Sequence, residues 1–272
     1  MGTLYLVATP IGNLEDVSAR ALRTLRQVKL IAAEDTRVTR KLLTHYDIRA
    51  PILSYYEHNK LTRLEAILGR LQDGDVALVS DAGTPALNDP GYELVRAALE
   101  AGHRVSPVPG ASSPIAALIA SGLPTDSFLY LGYLPRKRSE RRAALEDVAD
   151  LPYTLIFLES PHRLLDSLRD LSAILGDRQV ALARELTKLH EEIWRGSLLE
   201  AMDYFKAPRG EFVIVVGGRP AASRTRWTQA ELLAAIRRHA NAGGSPAELA
   251  AQLSAKSGWP RREIYRLATR GN

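Results

Sequence analysis

Through residues 1–122, short apolar runs alternate with segments whose apolar residues recur at helical spacing. The runs predict strands at 3–9, 29–34, 50–55, 75–80 and 104–109. Helices are predicted between them at 16–28, 36–46, 60–72 and 90–102. This alternation argues for a mostly parallel sheet covered by helices. The break Gly122-Leu123-Pro124-Thr125-Asp126 reads as a domain hinge. Beyond it, strands are predicted at 127–134, 153–159, 179–184, 192–197 and 211–217, with helices at 139–149 and 162–175. Only a short loop parts 179–184 from 192–197, so these two form an antiparallel pair and the second sheet is mixed.

After Gly217-Gly218-Arg219-Pro220 the composition changes. Thr228 caps a predicted helix that runs to about 241 and ends at Gly243-Gly244. Ser245-Pro246 opens a second over 247–256, and Ser257-Gly258-Trp259-Pro260 turns the chain into a third at 261–270. Short helices around a glycine turn have helix-turn-helix spacing. The expected organisation is an α/β domain at 1–122, a second α/β domain with a mixed sheet at 123–220, and a basic helical domain at 221–272.

Charge sharpens this division. The formal net charge is +5, yet residues 1–218 carry 26 Lys/Arg against 28 Asp/Glu, and residues 219–272 carry 10 against 3. A tail of that sign favours a polyanionic partner such as nucleic acid. Hydrophobic content of 46% and charged content of 25% are those of an ordinary globular protein. No apolar run approaches the roughly 18 residues of a membrane span. The first residues read as a strand rather than a signal peptide, and the lack of cysteine removes disulfides, thiolate metal sites and cysteine nucleophiles. A cytoplasmic enzyme without membrane or metal is the expectation.

The candidate chemistry lies in loops at strand ends. Val79-Ser80-Asp81-Ala82-Gly83-Thr84-Pro85-Ala86-Leu87-Asn88-Asp89-Pro90-Gly91 is longer than a plain connection requires, and it sits where open α/β sheets bind ligands. Asp89 is the expected N-cap of the following helix, with Pro90 at its first position. Thr9-Pro10-Ile11-Gly12-Asn13-Leu14 and Pro109-Gly110-Ala111-Ser112-Ser113-Pro114 stand on the same rim. Few of these side chains are charged, so backbone groups would do most of the holding. P-loop, dinucleotide, nucleophile-elbow and zinc-protease motifs are absent.

These loops recur together with Ala33-Glu34-Asp35-Thr36-Arg37, Glu159-Ser160-Pro161-His162-Arg163 and Ala183-Arg184-Glu185-Leu186-Thr187-Lys188. In that combination the chain resembles the small-subunit ribosomal RNA methyltransferases of the tetrapyrrole (class III) methylase superfamily. The resemblance implies two α/β domains with S-adenosylmethionine in the cleft between them, a small C-terminal helical domain, and a homodimer. It implies 2′-O-methylation of a cytidine in the decoding region of small-subunit (16S) ribosomal RNA, presented as RNA or as the assembled small subunit. The superfamily's usual first loop is G-x-G-x-G-D. Here it reads Thr9-Pro10-Ile11-Gly12-Asn13, as in the RNA-modifying branch, which favours ribose over tetrapyrrole substrates. Carried over by motif, Ile11, Asp81, Ala82, Gly83, Thr84, Pro85, Leu87, Gly110, Ser112 and Ser113 are cofactor contacts. So are Phe157, Leu158 and Glu159 at a strand end of the second domain, and Gly210, Glu211 and Phe212 near the adenine.

A ribose hydroxyl attacks well only if its proton is taken as the bond forms. Asp81, Glu159, Glu185 and Lys188 are the candidate bases, Lys188 only with a lowered pKa. Ion pairing with Arg163 and Arg184 is the competing use of Glu159 and Glu185. For RNA, Arg136, Lys137, Arg138, Arg141 and Arg142 form a basic cluster, and positive charge at a helix start opposes the macrodipole, which favours phosphate contact. Arg37, Arg40 and Lys41 form a second cluster, and His162 and Arg163 are expected to do similar work in the second domain. Two rival functions remain: tetrapyrrole methylation on the same fold, and nucleic-acid-binding regulation through the C-terminal domain.

Overall fold

The computed structural model describes residues 2–220, 227–240 and 245–269. The first sheet contains β1 (Thr3–Val7), β2 (Leu30–Ala33), β3 (Ile52–Ser54), β4 (Val76–Val79) and β5 (Arg104–Val108), all parallel, in the order β3-β2-β4-β1-β5. Four helices connect them: α1 (Ala19–Gln27), α2 (Thr36–His45), α3 (Lys60–Asp73) and α4 (Tyr92–Glu100). Every residue of β2 and β4 is buried, because helices cover both faces of a parallel sheet. Alternate strand residues feed separate cores. Ile31, Ala33, Ala77 and Val79 pack with Leu25 and Leu42, whereas Leu30, Ala32, Val76 and Leu78 pack with Ile67, Leu71 and Leu94.

Local sequence explains where the helices begin. Ser18 caps α1 by accepting the Ala21 N–H at 3.1 Å, and Asp35 caps α2 by accepting that of Arg37 at 2.8 Å. The expectation for α4 needs correction. It begins at Tyr92, with Gly91 rather than Asp89 as its N-cap, and no side chain caps it. Asp89 instead hydrogen-bonds Ser80 inside the β4–α4 loop, a use of the carboxylate that competes with capping.

α5 (Ser113–Ser121) follows β5 in the chain but packs on the second sheet, through Ala117 and Leu118 against Ile156, Ala181, Ala183, Val213 and Val215. That sheet has the order β6-β7-β10-β8-β9. Its strands are β6 (Phe128–Tyr133), β7 (Thr154–Glu159), β8 (Gln179–Arg184), β9 (Glu192–Ser197) and β10 (Phe212–Val216). β6 and β7 are parallel and the other pairings antiparallel, so the sheet is mixed, and β8 and β9 form the expected pair. α6 (Arg138–Glu146), α7 (Leu164–Leu175) and α8 (Leu198–Tyr204) cover the face opposite α5. α8 was not anticipated. Its signal was in the sequence as a capping box, Ser197 with Glu200.

Residues divide into two compact units, Met1–Arg219 and Pro220–Asn272. The second contains α9 (Gln229–Ala240), α10 (Pro246–Ser257) and α11 (Arg261–Thr269) around Leu232, Ile236, Leu253 and Ile264. Thr228 and Glu231 form a capping box at α9, and Ser245 caps α10. Gly258, with φ near 71°, turns α10 into α11. The expected helix end at Gly243-Gly244 lies outside the described residues. Among the described residues no helix is long and apolar enough to cross a membrane.

Candidate active site

The carboxyl ends of β1, β4 and β5 face the second sheet across a cavity of about 350 Å³. Two of the three loops are tied to each other: Thr9 N–H donates to Gly83 O at 2.8 Å and Gly83 N–H returns to Thr9 O at 3.1 Å. Thr84 Oγ donates to Ala111 O at 3.2 Å and joins the third loop. Gly83 has φ near 84°, and a Cβ there would press on Ile11 Cγ2 at 3.2 Å. Glycine therefore serves both the turn and the close approach of these loops. Ser112 makes no side-chain cap at α5, which leaves the first amides of that helix to a ligand carboxylate.

The opposite wall depends on an irregularity in β6. Pairing with β7 slips between Tyr130 and Gly132, and Gly132 takes φ near 64°. In a regular strand, residues three apart point to opposite faces. Here the bulge brings both Tyr130 and Tyr133 to the cavity. Tyr130 donates to Asn88 Oδ1 at 2.6 Å and Tyr133 to Glu211 Oε2 at 3.3 Å. Burial, reinforced by Asp89 for Tyr130 and by Glu211 for Tyr133, pushes both phenols up to about 12. The β8–β9 loop completes the wall. Glu185 and Thr187 hold φ near 51° and 66°, a region costly for residues other than glycine. Lys188 Nζ lies 3.1 Å from Glu185 Oε1, and Thr187 Oγ accepts Asn13 N–H at 3.0 Å, which joins this loop to the first.

Carboxylates dominate the lining. Glu34, Asp81, Asp89, Glu185 and Glu211 reach the cavity, against Arg184 and Lys188. Asp81 Oδ1 accepts the Asp35 N–H at 2.8 Å. Burial, then the neighbouring charge of Asp89, pushes the Glu34 carboxyl up. Asp89 is also raised, by burial first and by Asp81, against a hydrogen bond with Ser80 that favours its ionised form. Asp35, outside the cavity, is held at about 2 by its hydrogen bonds with Arg37. Paired anions with raised pKa values suit a cation. S-adenosylmethionine carries a sulfonium and an ammonium, and glycine-lined loops admit its adenosine closely, so the residues present fit this cofactor.

Of the residues expected at the cofactor, Ile11, Asp81, Ala82, Gly83, Thr84, Leu87, Ser112, Ser113, Leu158, Glu211 and Phe212 line the cavity. Pro85, Gly110 and Gly210 lie beside it. A Cβ on Gly110 would approach Ala8 Cβ at 3.0 Å, and one on Gly210 would approach Glu185 Oε1 at 2.7 Å. Phe157 and Glu159 require correction. Strand alternation turns them to the α7 side, where Phe157 is fully buried in the core. Glu159 is fully enclosed, accepting from Ser167 Oγ at 2.5 Å and Ser160 N–H at 2.9 Å, with Arg163 at 3.4 Å. Its pairing with Arg163 is the competing use already noted. Glu185 pairs with Lys188, whereas Arg184 pairs with Glu192.

Tyr130, Tyr133, Asn88 and Asp89 were missed as lining residues. The tyrosines gave no signal, because only the bulge makes their phases agree. The basic clusters are divided by burial. Arg136, Lys137, Arg138, Arg37, Arg40, Lys41 and His162 are exposed. Arg141 is 5% exposed and bound to Asp170, with Nε–Oδ2 at 2.9 Å, and so is unavailable to RNA. Arg142 is half-buried at 3.4 Å from the same carboxylate. Arg163 donates to the carbonyls of Leu134 and Pro135. A second hollow of about 340 Å³ adjoins the first, sharing Ile11, Asp81 and Ala82.

A parallel and a mixed five-stranded sheet enclosing a loop-built cavity define a methylase of the tetrapyrrole type, and the sequence profile of the tetrapyrrole (corrin/porphyrin) methylases matches residues 3–202. A uroporphyrin-III C-methyltransferase from Thermus thermophilus, complexed with S-adenosylhomocysteine, shares the fold. Its TM-score is 0.56 at 22% identity, over 79% of this chain and 97% of that one. Ribosomal RNA small subunit methyltransferase I of Halalkalibacterium halodurans is 48% identical over 272 residues, covering 98% of this chain and 94% of the relative. The enzyme of that name from Escherichia coli O157:H7 is 52% identical over 226 residues, covering 81% and 79%. The chain belongs to the ribosomal RNA small subunit methyltransferase I family and is an S-adenosylmethionine-dependent methyltransferase.

Proposed function

We propose that this chain methylates the 2′-hydroxyl of a cytidine in the decoding region of small-subunit ribosomal RNA. The observation that carries the reading is the likeness, over nearly its whole length, to relatives named for methylating that RNA. The acceptor atom and the cytidine are what the family resemblance implies, and the RNA-type first loop, Thr9-Pro10-Ile11-Gly12-Asn13, supports a ribose over a tetrapyrrole acceptor. A homodimer in the cytoplasm, acting on the RNA or on the assembled subunit, completes the proposal.

S-adenosylmethionine supplies an electrophilic methyl group on a positively charged sulfur. The chain's task is to align a weak nucleophile with that group in a shielded cleft. Glu34, Asp81 and Asp89 offer negative charge to the cationic donor, and Tyr130 and Tyr133 wall it from the second sheet. Asp81 borders both hollows and accepts the Asp35 N–H, which supports it as the carboxylate that takes the hydroxyl proton. Glu185 and Lys188 bind each other and serve to position the β8–β9 loop.

Labelled methyl transfer should be measured to small subunits, to naked ribosomal RNA and to a porphyrinogen. The expected label resides on RNA, in a nucleotide whose 3′ linkage resists alkali, and disappears when the acceptor is 2′-deoxycytidine. Label on the porphyrinogen alone, or on a base, would overturn the proposal. Asp81→Asn should slow single-turnover transfer at saturating donor by about 100-fold, the low end of general-base effects.

A further inference from the structure

The wall that carries Asp81 has a second side, and the hollow behind it has the opposite character from the acidic cavity. Pro10, Ile11, Leu14, Val38 and Leu42 form its sides. Leu14 and Val38 are each 38% exposed, so two large apolar side chains face solvent at its mouth. Both are held in place. Tyr46 Oη donates to Leu14 O at 2.6 Å, and Val38, Lys41 and Leu42 share one face of α2 by their three- and four-residue spacing. Lys41 lines the hollow, and Arg40, its neighbour in the chain, is exposed; neither makes an ion pair or side-chain hydrogen bond among the described residues. Arg37, one residue before Val38, is 84% exposed and steadied by Asp35 at 2.6 Å.

We propose that this hollow seats the acceptor nucleotide, turned out of its stack, with the base against Leu14 and Val38 and the flanking phosphates on Arg40 and Lys41. The inference rests on the RNA-methylation reading and adds to it the place where the substrate enters. The argument begins with reach. The reacting hydroxyl must meet the methyl group, so its site must open on the donor cavity, and this hollow does so through Ile11, Asp81 and Ala82. Apolar walls accept the face of any base, and unpaired cations at the rim meet phosphate. A stacked nucleotide cannot bring its ribose into a recess between a loop and a helix, so the nucleotide must be extruded. An acidic peptide would satisfy the rim but would leave the apolar walls and the shared Asp81 without a purpose.

The full chain, saturated with S-adenosylhomocysteine, is mixed with a small-subunit ribosomal RNA fragment carrying pyrrolocytidine at the acceptor position. Fluorescence should rise on binding as the base unstacks, and the rise should be absent in Val38→Glu. In turnover assays, Val38→Glu and the fully surface change Lys41→Glu should each raise the KM for RNA about tenfold, the scale of losing one base or phosphate contact. The dissociation constant for S-adenosylmethionine, read by calorimetry, should not move, which also certifies folding. Unchanged RNA KM in Lys41→Glu together with Val38→Glu would overturn the inference. Weakened donor binding in Lys41→Glu would overturn it too, by assigning the hollow to the donor. Wild-type protein that methylates no RNA would overturn the functional reading instead, so the two failures are distinguishable.

Discussion

Asp170 is 1% exposed on α7, and three arginines of α6 converge on its carboxylate: Arg141 at 2.7 Å, Arg138 at 3.3 Å and Arg142 at 3.4 Å. Burial works against ionisation, but the hydrogen bonds of Arg141 and Arg138 prevail and hold the carboxyl below its ordinary range. A group with a depressed folded-state pKa contributes stability above its unfolded pKa, and that contribution is lost as pH falls through the folded value. Breaking a buried pair leaves a charge uncompensated, at about 3–5 kcal/mol. Arg141→Ala should sit at the low end, since two arginines still face Asp170; Asp170→Ala should cost more, because it strands Arg141. Urea denaturation between neutral and acid pH checks this. Both variants should be less stable at neutral pH, and Asp170→Ala should lack part of the wild-type decline on acidification. Equal stability of Arg141→Ala and wild type would make that pairing irrelevant. Counting charges from 136 to 142 suggests one RNA-binding cluster, but the count cannot show that one of its five basic residues, Arg141, is buried against a helix more than twenty residues further on.

At the level of elements, period and punctuation carried much of the fold. Strand and helix positions through β5 were legible because a parallel sheet demands continuous apolar runs, and the 179–184 and 192–197 strands because each is bounded by polar turns. What escaped were departures from local rules. The β6 bulge, the positive φ of Glu185 and the redirection of Asp89 each arise from tertiary demands of the cavity, and no local pattern records them. The β4–α4 loop shows the consequence. Its Asp89, and Glu34 across from it, have carboxyl pKa values raised by burial, Glu34 also by Asp89 and Asp89 also by Asp81. The ionised forms are therefore unfavourable in the free protein and favoured by a bound cation. Affinity for S-adenosylmethionine should increase as pH rises from the ordinary carboxylate range through the raised values, with proton release on binding. The free protein should lose a little stability over the same interval. Calorimetry in buffers of different ionisation enthalpy reads the released protons; an enthalpy independent of buffer would remove the carboxylates from donor binding. The effect should vanish in Glu34→Gln with Asp89→Asn.

Across the whole molecule, charge and chemistry are separated. The unit Met1–Arg219 holds both hollows, whereas the excess of positive charge lies beyond residue 218. The smaller unit has its own core, in which Leu232, Leu253 and Ile264 pack with Trp227 and Trp259, and Trp259 Nε1 donates to Trp227 O at 2.6 Å. The larger unit has a core on each face of its sheets, built without residues of the smaller one. A chain ending at Arg219 should therefore bind S-adenosylmethionine as the full chain does. RNA affinity obeys a different rule. Each phosphate neutralised on a single strand contributes about 0.7 to the slope of log affinity against log salt, and about 0.9 on a duplex. If the tail grips RNA, removing it should weaken binding at low salt and flatten that slope by one unit or more, while methyl transfer at saturating RNA is preserved. An unaltered slope would assign the whole electrostatic grip to the larger unit, where Arg136, Lys137, Arg40 and Lys41 are among the exposed cations able to supply it.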